Sequence, residues 1–163
     1  WMMARDPKTW SMAVMFGLGH GGVEAILLVG VNSLASLALL LFFPAVQNLF
    51  PAEINGLLAQ QVVQLGGSPA WLPLLAAWER LWTLPVHVAL SVVVLQVFLR
   101  SGTRWLWIAI VFHGMANLIV VGLPALLTLP GNQGALLSSA LVLLVGLFAV
   151  WVIFRLRGPR ENP

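Results

Sequence analysis

The sequence predicts an all-α, polytopic integral membrane protein: a bundle of four transmembrane helices in a single transmembrane domain over 1–163. Three observations predict it. The 163 residues are 60% hydrophobic and only 8% charged, with a mean hydropathy of +0.97, whereas a soluble domain carries roughly 25% charged residues. Four long apolar segments run through the chain. The few basic residues collect between alternate segments, as an up-and-down path through a bilayer requires.

The first segment covers 10–43 and stops at Pro44. It exceeds the ~20 residues needed to span, so it is tilted, bent near its glycines, or extends past the bilayer. Residues 44–70 form an extramembrane or interfacial connection. Here Leu57, Leu58, Val62, Val63 and Leu65 alternate with Gln60, Gln61 and Gln64, a spacing that fits a short amphipathic helix at the interface or a plain loop. The second segment covers 71–99, the third 105–128 and the fourth 135–154. A polar tail, 155–163, follows.

Arg5 and Lys8 precede the first segment, Arg100 and Arg104 bracket the second turn, and Arg155, Arg157 and Arg160 follow the fourth. The other two connections hold no Lys or Arg. Four spans put all three basic regions on one side, with both termini cytoplasmic and the protein in the cell membrane. Trp1, Trp10, Trp71, Trp105 and Trp151 fall near segment ends, as an interfacial belt does. The chain opens on Trp1 without a charged region and cleavage site, and reads as the C-terminal core of a longer protein. The absence of Cys excludes disulfides, thiolate nucleophiles and Cys metal sites. A pI of 11.2 arises from a few Arg on a nearly uncharged chain, so nucleic acid is not an expected partner. Membrane lipid is.

All three histidines lie inside apolar segments. His20 and Glu24 share the first, Glu79, Arg80 and His87 the second, His113 and Asn117 the third. An ionisable side chain at a helix centre costs about 2.5–3.5 kcal/mol on insertion scales, and a shared polar site explains three such helices. At ~1.5 Å rise per residue, His20, Glu24, His87, His113 and Asn117 all fall roughly 13–21 Å from the cytoplasmic edge. His20 and Glu24 are one turn apart on one face, as are His113 and Asn117. Ala13, Gly17, Gly21 and Ala25 form a stripe of small residues that admits a neighbouring backbone. Pro85 is expected to kink the second helix two residues before His87. Glu79 and Arg80 lie higher, roughly 30 Å in, and read as structural support. Ser91 is a poor nucleophile, because a mid-helix serine bonds its own backbone.

A glutamate, three histidines and an asparagine suit acyl-bond hydrolysis. Glu24 can take a proton from water, and histidine and amide groups can donate to a developing oxyanion. The catalytic set is then Glu24, His87, His113 and Asn117. The same residues could instead hold Zn²⁺ through His20, Glu24, His87 and His113, although no HExxH helix is present. The cofactor is therefore Zn²⁺ or none. Gly17, Gly21, Glu79 and Arg80 are supporting residues. Two other functions fit less well. One is a proton- or metal-coupled transporter, against which no inverted repeat is visible. The other is a non-catalytic scaffold.

The run Gly17, Leu18, Gly19, His20, Gly21, Gly22, Val23, Glu24, then Glu79 and Arg80 with His87 beyond, then His113 and Asn117, resembles the YhfC family of intramembrane metalloproteases. That family is related to the CAAX protease and bacteriocin-processing group. The resemblance covers roughly residues 10–125. It implies a four-helix core, Glu24 as catalytic base, His87 as the second-motif histidine, His113 and Asn117 as the third motif, and a transmembrane or membrane-associated polypeptide as substrate. The chain departs from the wider group at Ala25, where a second Glu is expected, at Thr83, where Phe is expected, and at His20, which has no counterpart there. No Arg follows Glu24. These departures set it apart from the prenyl endopeptidases and leave the substrate open.

Overall fold

The computed structural model describes residues 8–130 and 132–157; Trp1, Arg5 and Arg160 lie outside them, as does most of the polar tail. The protein is an all-α, multi-pass integral membrane helix bundle. Four helices are long and apolar enough to cross a membrane: Trp10–Leu49, Leu72–Leu99, Arg104–Leu126 and Gln133–Arg155.

The first of these comprises α1 (Trp10–Ala25), a π-turn (Ile26–Gly30), α2 (Val31–Val46) and a 3₁₀ turn (Gln47–Leu49). The helix does not stop at Pro44. Proline removes one N–H and crowds the preceding turn, but the ladder resumes at once, with Gln47 N–H donating to Phe43 O. The connection that follows is helical: α3 (Ala52–Gly67) starts after Pro51, carries Glu53 in its first turn and runs out at Gly66 and Gly67. An acid at a helix start favours the helix dipole. α4 (Leu72–Leu99) runs unbroken through Pro85. α5 (Arg104–Asn117) leads into a second π-turn (Leu118–Gly122) and the short α6 (Leu123–Leu126), and α7 (Gln133–Arg155) completes the chain. The α4–α5 turn places Ser101 at φ 48°, in the left-handed region, beside Gly102.

Two compact units can be distinguished, residues Trp1–Val23 with Trp78–Pro163, and residues Glu24–Ala77. The boundary falls inside α1, so Glu24 keeps its place one turn beyond His20 in the same continuous helix.

In the first unit α4 is central: 44% of its apolar window is buried. Val86, Val88, Ala89, Val92 and Leu95 form a core with Ala13, Ala116, Ala149 and Ile153. Small residues set the approach of the helices. A Cβ on Gly17 would stand 2.5 Å from Val88 Cα, and one on Gly146 of α7 would stand 2.8 Å from Trp82 O. Hydrocarbon provides no hydrophobic drive between helices, so close backbone contact of this kind carries the association. Trp10 donates its indole N–H to Ile153 O at 3.1 Å. Lys8 lies 4.4 Å from the Phe98 ring and Arg157 lies 5.0 Å from the Trp10 ring. The start of α1 and the ends of α4 and α7 therefore share one basic, aromatic end of this unit.

In the second unit α3 packs against α2. Most large apolar residues along Leu27, Leu34 and Leu41 remain exposed, as lipid-facing positions do.

Candidate functional site

The site begins with Gly21. A Cβ there would meet the His87 side chain at 3.0 to 3.1 Å, so glycine lets His87 lie directly against α1. His87 is buried, whereas His20 is exposed and Glu24 intermediate in the protein alone. The His20 and His87 rings stand 5.4 Å apart in an edge-on arrangement. Phe16, one turn before His20, stacks on its ring at 6.4 Å with the planes 5° apart.

His20, Glu24 and His87 form a group whose ligand atoms all lie within 4.8 Å of one another. Donors arranged tetrahedrally at about 2.0–2.2 Å from one Zn²⁺ stand about 3.3–3.6 Å apart. Side-chain closure of about 1 Å at the widest pair would bring all three to one ion. Two imidazoles and a carboxylate are also the donor set of a catalytic zinc site that keeps a position open. The residues fit the metal.

His113 lies beside this group rather than in it. Its ring is 6.3 Å from that of His87. Asn117, one turn later, donates its side-chain N–H to His113 Nε2 at 3.2 Å. In the tautomer in which Nε2 accepts this bond, Nδ1 carries the proton. His20, His87 and His113 nonetheless line one half-open cavity of about 300 Å³, together with Phe16, Leu90, Ser91 and Val94. The Ser91 hydroxyl donates to His87 O at 3.0 Å, the backbone bond expected of a mid-helix serine.

Glu79 and Arg80 lie elsewhere on α4. Ser139 of α7 donates its hydroxyl to Glu79 Oε1 at 2.8 Å, Trp78 donates to Ser139 O at 3.4 Å, and Thr83 donates to Arg80 O at 3.1 Å. Glu79 thus ties α4 to α7, roughly 12 Å along the helix from His87.

The two π-turns escaped the sequence reading. Each begins within two residues of a polar site residue, at Ile26 after Glu24 and at Leu118 after Asn117, and each ends on a glycine, Gly30 or Gly122. In both, the residue after the turn bonds five back: Val31 N–H to Ile26 O, and Leu123 N–H to Leu118 O. The third carbonyl of each turn is capped by a side chain. Asn32 Nδ2 donates to Leu28 O at 2.7 Å, and Ser138 Oγ donates to Val120 O at 2.8 Å. π-turns inside α-helices concentrate at functional sites. The signal was present as a short local repeat. His20, Gly21 and Glu24 followed by Ile26 to Gly30 parallel His113, Gly114 and Asn117 followed by Leu118 to Gly122.

These features define a class: a multi-pass helical membrane protein that gathers two histidines and a glutamate from two apolar helices. Residues 1–145 match the family described as YhfC intramembrane metalloprotease, and the chain belongs to that family. It is 28% identical over 151 residues to the "Uncharacterized membrane protein YhfC" of Bacillus subtilis (strain 168), an alignment covering 89% of this chain and 56% of that relative. The chain thus spans about half the length of the curated relative it matches. No solved structure matches it.

Proposed function

We propose that this protein is an intramembrane metallopeptidase that hydrolyses a peptide bond of a membrane-embedded polypeptide. The observation that carries the reading is the approach of His20, Glu24 and His87 to within 4.8 Å of one another inside apolar helices. His20 Nδ1 or Nε2, the corresponding nitrogen of His87 and one oxygen of Glu24 would hold a divalent ion such as Zn²⁺. When bound, that ion would supply Lewis-acid polarisation of the scissile carbonyl.

The protein's own groups do the rest. The second oxygen of Glu24 takes a proton from the attacking water and later returns it to the leaving nitrogen. Asn117 spends one N–H on His113 and keeps the other. His113 keeps its Nδ1–H. Both are donors for the developing oxyanion, where a preorganised N–H stabilises charge far better than in water. Burial of His87 and the apolar walls of the cavity exclude bulk water from the reacting atoms.

The test is chemical. The purified protein, reconstituted in lipid, should carry about one divalent ion per chain. The cleaved membrane peptides should disappear when Glu24→Gln replaces the parent in a proteome-wide comparison. A protein that carries no metal but cleaves through Glu24 would move the reading to a metal-free glutamate peptidase. Gradient-driven ion flux without peptide products would replace it with a transporter.

A further inference from the structure

A second cavity, of about 610 Å³, lies wholly within the Glu24–Ala77 unit. One wall is the helix from Leu28 to Leu40. The other is the turn from Leu65 to Ala70 with Leu72, Pro73 and Ala76. The walls are apolar except for Asn32, Ser33, Ser36 and Ser68. These serines are not alike. Ser68 gives its hydroxyl to Gln64 O at 2.7 Å, as Ser91 gives its own to His87 O. Ser33 and Ser36 make no such bond among the described residues, although a serine in an apolar helix ordinarily bonds back to its own turn. Asn32 spends its amide N–H on Leu28 O, which leaves its Oδ1 as an acceptor. The groove therefore offers two hydroxyls and a carbonyl oxygen in a hydrocarbon setting, where an unsatisfied polar group costs several kcal/mol.

The π-turn at Ile26–Gly30 decides where these groups point. Glu24 and Asn32 are eight residues apart. In an uninterrupted α-helix that separation would turn Asn32 about 80° away from Glu24. The π-turn absorbs one extra residue, so the separation amounts to roughly seven α-steps and the two side chains fall within about 20° of one direction. Ser36 follows Asn32 by one turn on the same face. The axial distance from Glu24 to Asn32 is roughly 10–12 Å, which an extended peptide covers in about three to four residues.

We propose that this groove binds an unwound, extended stretch of the polypeptide substrate. Ser33, Ser36 and the Asn32 carbonyl oxygen hydrogen-bond its backbone, and the apolar walls accept a large apolar side chain three or four positions from the scissile bond. This rests on the peptidase reading of Glu24. An acyl chain would fill the volume but leave the three polar groups unpaired. A regular helix would bring no free backbone donors or acceptors to them. An extended peptide satisfies both requirements.

The experiment measures binding, not turnover, on Glu24→Gln protein reconstituted in phosphatidylcholine vesicles. One probe is a fluorescent transmembrane peptide of Leu and Ala interrupted by a central Gly-Pro pair. The second is the same peptide without interruption. The third is a phosphatidylcholine with a photoactivatable acyl chain. The interrupted peptide is expected to bind at least tenfold more tightly than the uninterrupted one. Loss of two hydrogen bonds in the Ser33→Ala, Ser36→Ala double variant is expected to weaken it about tenfold. Leu37→Trp, which fills the groove, should weaken it as much, and keeps the question answerable if the serine variant folds poorly. Equal binding of both peptides, or unchanged affinity in the folded variants, overturns the proposal, as does exclusive labelling of the groove by lipid. Tight binding of the interrupted peptide, beside a parent protein that cleaves no membrane polypeptide in the proteome-wide comparison, would leave the groove standing and remove the peptidase reading instead.

Discussion

Gly21 of α1 and His87 of α4 lie so close that a methyl group on Gly21 would stand 3.0 Å from His87 Cδ2. One turn earlier, the same addition at Gly17 would stand 2.5 Å from Val88 Cα. The two glycines therefore hold the site together in different ways. At Gly17 backbone meets backbone, and at Gly21 backbone meets the His87 imidazole.

Gly17→Ala should separate α1 from α4. Overpacking of this kind costs about 1–3 kcal/mol, and no flexible side chain is available to yield. Gly21→Ala can be accommodated by rotating the imidazole, so it should lower metal occupancy more than thermal stability. Melting temperature and bound metal, measured on both variants in the same lipid, check the difference. Equal losses of stability would contradict it.

Histidine substitutions should sort into two kinds. His20→Ala and His87→Ala remove ligands and should strip the metal, with activity lost in proportion. His113→Ala and Asn117→Leu should keep the metal and lose about 10²–10³-fold in turnover, the range for an oxyanion donor. Metal analysis beside peptide cleavage distinguishes the groups. A His113 variant that arrives without metal would place His113 among the ligands.

Glu24→Gln should abolish cleavage while the helical content by circular dichroism stays unchanged. Loss of a general base costs typically 10²–10⁴-fold. Retention of more than a tenth of the parent activity would assign the base to another residue.

The orientation expected from the basic residues puts the 44–70 connection outside and the Arg100–Arg104 turn inside. The chain has no cysteine, so Gly56→Cys and Gly102→Cys each give one clean labelling site. A membrane-impermeant thiol reagent applied to sealed, outside-out vesicles should react at position 56 and spare position 102. Labelling of both would reject a path in which α4 crosses the bilayer.

Ser138 caps the second π-turn through Val120 O. Ser138→Ala should let that turn relax toward a regular α-helix and rotate Asn117 relative to the residues beyond it. Activity should fall several-fold through kcat, metal content should hold, and amide exchange should quicken at Leu118–Gly122. Ser138→Thr, which keeps the hydroxyl, should restore both.

The bundle was legible in the sequence because its cause is local. The cost of placing each residue in hydrocarbon adds up segment by segment, and so the four spans emerge from composition alone. The helical repeat likewise put His20 with Glu24 and His113 with Asn117. Continuation of the first helix beyond Pro44 was not legible, because one missing N–H leaves the neighbouring turns free to carry the ladder on. Helix α3 was one of two readings of residues 44–70, since a short amphipathic pattern serves helix and loop alike. Only the tertiary structure set His87 against Gly21, separated His113 from the His20, Glu24, His87 group, and tied Glu79 to Ser139. Those outcomes depend on how far each helix is rotated about its axis, and in lipid that rotation is fixed by packing between particular backbones rather than by the apolar character of the segments. The π-turns belong with them: one extra residue per turn re-aims everything beyond it, while the apolar pattern reads the same with or without the turn.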